Sequence, residues 1–528
     1  MNDLQIFLAA LFISAALLNS IANWLKVPYP IPLVIGGLAI GLIPGMPDIE
    51  LDPDLVLLVF LPPLLYSSAF FYDLRTLRND ARVIALNSIG LTLATAAAVG
   101  VVAHEVMDLP WAVSFALGAI VSPTDPAAAT AIMRRVGAPR RLVNILEGES
   151  LINDAAALVT FKVAVAAAIG EGVSTSHTLL QFAGDAAGGI AIGFVIGQAI
   201  AEIRKRVNDV NTELTISLFS AYGAFVPADQ LGVSGVLAVV TCGLVLGFRA
   251  PEIASPESRM QGYAMWSILT FLLNATLFIL IGLQLPAIVD GLSGEPAGQV
   301  VGYAALIIAV VIAMRFIYGN VITAIIRTLD RRPSQLARRS SWQMRVAGAW
   351  SGMRGAVSLA AALSLPLTTN SGDPFPGRDL IQFITFSLIL VTVVGQGLTL
   401  PWLIRRLGLV EDGADEQNEE LKARLVIARA ALDRVDELEE EEWTRDETLE
   451  RVRALYQFRK RRFAAQAGKI DGADGIEERS LAYQRLMHEI YASQRAALVE
   501  LRNNRRISVD VMRRVERELD LEESRLEV

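Results

Sequence analysis

Between Ile145 and Val163 the sequence reads ILEGESLINDAAALVTFKV, so Glu149, Ser150, Asn153 and Asp154 fall within two turns of an otherwise apolar, Ala-rich helix. At 3.6 residues per turn Ser150 stacks on Asp154 and Glu149 on Asn153, which gathers the four polar groups into one patch. A second acid, Asp125, sits beside Thr124 in the segment SPTDP. Oxygen ligands from Asp154, Ser150, Asp125 and the Thr124 region suit a hard alkali cation or a proton. No nucleophile and base constellation, Gly-rich phosphate loop or metal motif accompanies them, which argues against an enzyme. The three histidines, His104, His177 and His488, are not spaced as ligands, and the single Cys242 lies in the apolar run TCGLVLGF, which excludes a disulfide framework. Nothing here calls for an organic cofactor or a nucleic-acid partner.

The elements that must carry this patch are membrane helices. Of 528 residues 53% are hydrophobic and 19% charged, and the mean hydropathy of +0.44 is too high for a soluble enzyme of this size. The net charge of -8 divides unevenly: residues 411–528 hold 22 basic and 29 acidic residues, leaving residues 1–410 nearly neutral. We therefore expect an apolar transmembrane domain, 1–408, and a charged cytoplasmic domain, 409–528. Apolar runs of membrane-spanning length predict thirteen spans, at 3–24, 30–46, 54–72, 82–104, 111–134, 144–169, 179–203, 212–229, 231–248, 261–284, 299–322, 343–366 and 379–405. The first lacks a basic flank and a cleavage site and reads as a retained helix.

The loops check the count. One set carries Lys26, Arg75, Arg78, Arg82, Arg134, Arg135, Arg140, Arg141, Arg204, Lys205, Arg206, Arg249, Arg259, Arg327, Arg331, Arg332, Arg338, Arg339, Arg405 and Arg406. The alternate set carries Asp48, Glu50, Asp52, Glu105, Asp108, Glu171, Asp229, Asp290, Glu295 and Asp373, with Arg378 as its clear base. The positive-inside rule makes the first set cytoplasmic, with the N-terminus outside and the tail inside.

Span 5 contains Pro123 and Pro126 at mid-length. Neither can donate to the preceding turn, so the helix must open around Thr124 and Asp125. Broken backbone at membrane depth survives where it is buried in protein or lines a cavity. Span 12, with Gly348, Gly352 and Gly355 around Arg354, is a weaker candidate for a second break. The two lie seven spans apart, as an inverted repeat of spans 1–6 onto 8–13 would place them. Asp154 and Asp125 both fall near the bilayer midplane by the 1.5 Å rise per residue. Two carboxylates there require cations, protons or dipoles. The ends of an opened helix can compensate Asp125, leaving Asp154 to a mobile cation or proton, and competition between the two is how an exchanger works.

SPTDP and GESLINDAA, with LPPLLY at Leu61–Tyr66, AMR at Ala313–Arg315 and GMRGAVSLA at Gly352–Ala360, resemble the cation:proton antiporter-1 family over roughly residues 5–408. That family includes bacterial sodium/proton antiporters and the eukaryotic sodium/hydrogen exchangers. The resemblance implies Asp154 as the exchanging carboxylate, Asn153 as the helix-break partner, Asp125, Thr124, Pro123 and Pro126 on one crossed, unwound helix, and Gly352 and Arg354 on the other. It pairs Glu149 with Arg315, implies a homodimer, and through Asn153-Asp154 resembles the electroneutral branch. Several archaeal relatives carry a glutamate where this chain has Ser67, so one sodium ligand is missing and Na+, Li+ and K+ all stay open as cargo.

Bland readings stand beside these. The Glu149 and Arg315 pair reads as a structural brace, and Arg354 as either a brace or a dipole partner. Lys162 reads as snorkelling or cavity lining, Asn274 as a helix-packing group, and His104 and His177 as residues near outer loops. A gated cation channel would show pore-lining rings, which are lacking. Residues 416–467, 476–503 and 507–525 predict three or four amphipathic helices, broken at Gly468–Gly475, with Leu421, Leu425, Ala428, Ala431 and Leu432 on one face and Glu439–Glu442 as a solvated run.

Overall fold

The computed structural model describes residues 2–25, 27–42, 53–170, 175–292, 294, 296–329, 339–411, 414–467, 474–524 and 526. Lys26, Asp48, Glu50, Asp52, Glu171, Glu295, Arg331, Arg332 and Arg338 of the expected loops, most of the Gly468–Gly475 break and the side chain of His177 lie outside the described residues. The chain divides into two compact units, Met1–Val410 and Glu411–Val528. Among the described residues both are helical, and strand pairing is limited to one isolated bridge between Thr368 and Pro374.

Among the described residues of the first unit, seven stretches are long and apolar enough to cross a membrane: Leu77–Met107, Arg140–Ala168, Gly184–Arg204, Gly235–Ile253, Pro256–Leu280, Ala297–Leu329 and Arg378–Arg406. The other six expected spans also coincide with helices, two of them interrupted. These are α1 (Asn2–Leu25), α2 (Pro30–Gly41), α3 (Pro53–Phe70), the pair α6 (Trp111–Val121) and α7 (Pro126–Val136), α10 (Val210–Gln230), and the pair α15 (Trp342–Trp350) and α16 (Ala356–Leu363).

At the centre lies α8 (Arg140–Ala168), which buries Glu149, Ser150, Asn153 and Asp154 along with its apolar face. Against it pack α3, α6, α7 and α11 (Gly235–Ile253), while α9 (Thr175–Arg204), α12 (Pro256–Leu283) and α14 (Ala297–Leu329) complete the long helices of the unit. Span 4 differs from its expected start at residue 82. One rod runs from α4 (Leu74–Ala85) through a π-helical turn at Leu86–Leu91 into α5 (Thr92–Met107). The strongly amphipathic first turns, LRTLRNDARVIA, kept it out of an apolar window. Likewise α17 (Arg378–Leu390) passes through a second π turn, Val391–Gln396, into α18 (Gly397–Arg406). A short helix unanticipated from hydropathy, α13 (Leu285–Gly291), follows α12 directly.

The second unit holds α19 (Ala414–Glu437), α20 (Asp446–Gln466), α21 (Asp474–Asn503) and α22 (Val509–Ser524). Of the expected stripe, Ala428 is buried and Leu421, Leu425, Ala431 and Leu432 are half-buried, while Val426 and Ile427 face solvent. Glu439 is not solely solvated, since Arg453 reaches it at 2.7 Å and Asp436 at 2.9 Å. On α21, Arg495 and His488 clasp Glu523 of α22, with His488 at 2.9 Å and Arg495 also 2.7 Å from Asp520. Arg495 first, and His488 after it, hold the Glu523 carboxyl below the usual glutamate range. A depressed carboxyl adds stability that is present above its unfolded value and is lost as pH falls through its folded value. Amide exchange in α22 of the full chain should therefore stay slow at neutral pH and accelerate below about pH 4, the ordinary glutamate range; exchange that is indifferent to acid would remove this clasp as the tie between α21 and α22.

Candidate ion site at two broken helices

Pro126 is the first residue of α7, where a missing N–H costs nothing, and Asp125 precedes it as N-cap, accepting from the Ala127 N–H at 2.8 Å. Such a cap contributes about 1 kcal/mol and places a negative charge at the positive end of α7. The preceding half, α6, ends at Val121. Its freed carbonyl accepts from the Arg354 Nε at 3.1 Å, so a guanidinium meets the negative end. Arg354 also donates to the carbonyl of Gly352. The weaker candidate break is real: α15 ends at Trp350 and α16 starts at Ala356.

The two breaks touch. The Asp125 N–H donates to the Met353 carbonyl at 2.9 Å, and a methyl group at Gly355 would lie 1.9 Å from Asp125 Oδ2, so only glycine lets the segments approach this closely. The backbone N–H of Arg354 donates in turn to Thr392 Oγ1, in the second π turn, at 3.1 Å.

From α8, Asn153 Nδ2 donates to Thr124 Oγ1 at 2.9 Å and approaches the Thr124 carbonyl at 3.4 Å. Thr124 Oγ1 donates to Glu149 Oε1 at 3.4 Å. Glu149 is bound by Arg315 Nη1 at 2.6 Å, both side chains being buried, and Arg315 Nε donates to the Gly348 carbonyl at 3.1 Å. Ser88 Oγ, in the first π turn, donates to the Glu149 carbonyl at 2.9 Å, and Tyr318 takes the Leu86 carbonyl at 2.8 Å.

Asp154 differs from all of these. It is 6% exposed, and no hydrogen-bond donor or cationic group among the described residues reaches its carboxylate. It lines a cavity of about 370 Å³ together with Asp125, Ser150, Thr124, Pro123 and Pro126. Toward the end with basic loops the same cavity is lined by Arg134 and Glu147, paired at 2.6 Å, and by Tyr72.

The structure thus brings Asp154, Asp125, Ser150 and Thr124 to one wall. Asn153, expected among the ion ligands, is not in that wall; it ties α8 to the break. Glu149 and Arg315 face a different cavity. Gly352 and Arg354 lie behind the break, where Gly352 leaves room for the Arg315 side chain. Asn274, expected as a packing group, lines the same cavity as Asp154, with Ser67 and Thr270. Ser67 Oγ is turned onto the Leu64 carbonyl at 3.0 Å. Lys162 points away and lies 3.8 Å from Asp229, both exposed. His104 stacks on Trp111 and bonds the Leu109 carbonyl at 2.7 Å.

The chain is similar to known proteins over most of its length. A family described as "Sodium/hydrogen exchanger, transmembrane" matches residues 8–406. An uncharacterized Na(+)/H(+) exchanger of Mycobacterium tuberculosis is 37% identical over 95% of this chain and 92% of its own. The Na(+)/H(+) antiporter ApNhaP of Aphanothece halophytica is 33% identical over 82% and 80%. A sodium, potassium, lithium and rubidium/H(+) antiporter of Bacillus subtilis is 31% identical over 76% and 62%. Among solved structures, the sodium proton antiporter MjNhaP1 of Methanocaldococcus jannaschii shares the fold, with TM-score 0.55 at 20% identity over 77% of this chain and 99% of that one.

Removing one member of the Glu149 and Arg315 pair strands a buried charge. Glu149→Gln and Arg315→Met should each cost about 3–5 kcal/mol, and the double variant less than their sum, read as thermal unfolding of the purified protein; additive losses would mean the two do not brace one another.

Proposed function

This chain belongs to the sodium/hydrogen exchanger family, and we propose that it is a secondary antiporter exchanging Na+ for H+ across the cell membrane, one for one, through Asp154. The observation that carries this reading is a charge left over. Asp125 has the α7 amide, Glu149 has Arg315 and Arg354 has the α6 carbonyl. Asp154 alone of this group faces a cavity without a fixed partner, in an environment where an uncompensated carboxylate is too costly to keep. A proton or a metal ion satisfies it equally, and one carboxylate cannot hold both. Ser150, Thr124 and Asp125 supply further oxygens for a hard cation, and Asn153 holds the break in register.

In this reading the chain crosses the membrane thirteen times, with the N-terminus outside and the tail cytoplasmic. The six helices outside the seven apolar ones supply the remaining crossings. The interrupted helices, spans 5 and 12, are the crossed pair of an inverted repeat, and two copies form a homodimer. The cavity rim with Arg134 and Glu147 then lies on the cytoplasmic side, and an aqueous funnel from that side delivers ions to Asp154.

A K+/H+ exchange on the same scaffold is the second reading. It is favoured by the relatives named for sodium, potassium, lithium and rubidium and by Ser67, a hydroxyl in the cavity wall where a carboxylate would bind sodium more tightly.

Asp154→Asn should abolish cation-dependent proton release in everted vesicles while the protein still inserts; full activity in that variant ends the proposal. Because the cation binds only the deprotonated site, apparent cation affinity should weaken by about tenfold per unit of acidification on the acid limb. Proteoliposomes assayed with Na+, Li+ and K+ measure this and the ion preference together. A cation KM that is flat with pH would mean that protons and cations use different sites.

A further inference from the structure

A second cavity, of about 190 Å³, lies between the first π turn, α8, α14 and α15, at the end of the first unit that carries the basic loops. Its wall holds five arginines, Arg141, Arg315, Arg327, Arg339 and Arg345, against one carboxylate, Glu149. That carboxylate is already taken by Arg315, and Arg141 reaches Asp80 at 3.2 Å. Arg327, Arg345 and the exposed Arg339 remain. Arg327 spends one Nη on the Ser340 carbonyl at 3.0 Å, while its buried Nε, and the buried Nε and Nη1 of Arg345, have no hydrogen-bond partner among the described residues. Buried guanidinium N–H groups left unpaired cost free energy, and like charges side by side add to that cost. Guanidinium forks are matched in geometry by the oxygens of a phosphate.

We propose that this cavity binds the phosphate headgroup of an anionic phospholipid, with Arg327 and Arg345 as its ligands. The same phosphate chemistry could be offered by a free anion, and the surroundings favour the lipid. The cavity sits where α14 ends at Leu329 and α15 begins at Trp342, the level of a membrane interface in the thirteen-span reading. Beside it Val321, Ile325 and Leu329 form an exposed stripe at four-residue spacing on α14, and Trp342 is 58% exposed. An aliphatic stripe next to an interfacial tryptophan suits acyl chains, and basic pockets between membrane helices on the cytoplasmic side suit anionic headgroups.

The test uses the full chain, delipidated in detergent, and reads its melting midpoint with phosphatidylglycerol, phosphatidylcholine or inorganic phosphate added. Phosphatidylglycerol should raise the midpoint by several degrees and phosphatidylcholine should leave it unchanged. Inorganic phosphate should add little, and the rise should vanish in Arg327→Gln/Arg345→Gln. An equal rise in that double variant, an equal rise with phosphatidylcholine, or a full rise with inorganic phosphate alone overturns the proposal. Should the double variant fail to fold, native mass spectrometry of Arg345→Gln decides: loss of retained phosphatidylglycerol relative to the wild type supports the site, and equal retention overturns it.

Discussion

A helix cut open inside a low-dielectric medium leaves amides on one side of the gap and carbonyls on the other, and water cannot take them. That debt organises the first unit. The amide end of α7 is met by Asp125 and the carbonyl end of α6 by Arg354, and each of these residues comes from or beside a break. Because Asp125 also bonds Met353 and packs on Gly355, neither interrupted helix can be satisfied without the other. The polar face of α8 is then fixed by what the gap still needs. Asn153 reaches the Thr124 hydroxyl, Thr124 reaches Glu149, and Glu149 needs Arg315. Asp154, one position after Asn153, turns toward the cavity.

Much of this was legible in the amino acids. Two prolines three residues apart announce an opened helix, and an acid, a hydroxyl and an amide at helical spacing announce a shared face. The Glu149 and Arg315 pair followed from family resemblance, and the distance between them is that of a strong charge-assisted hydrogen bond. The second break was fainter in the sequence because glycines permit an interruption without compelling one, whereas proline removes a donor. What makes it a break is tertiary: the Thr392 hydroxyl and Arg354 contacts supply the partners.

Other features left no local signal. A π turn carries no residue signature, so Leu86–Leu91 and Val391–Gln396 read as ordinary helix, and with them went the roles of Ser88, Tyr318 and Thr392. Asn274 looked like one polar group among many on an apolar helix, and only the packing of α12 against the gap puts it in the cavity wall. The arginine cavity draws on segments far apart in the chain, each of which reads alone as an ordinary basic loop. Helix α4 escaped because its charged first turns hide its continuity with the apolar rod that follows.

The π turns have a consequence for how these rods can be lengthened or cut. One additional residue in a helix advances the phase of every side chain beyond it by about 100°. Before its π turn the first rod packs on α8, and after it on α6; the last rod packs on α16 before its turn and, beyond it, on α7. A single peptide removed from either turn would leave a helix of regular pitch with half its side chains swung away from their neighbours. The residue count of these two rods therefore answers to rotation, and bilayer thickness alone would not reveal an error in it.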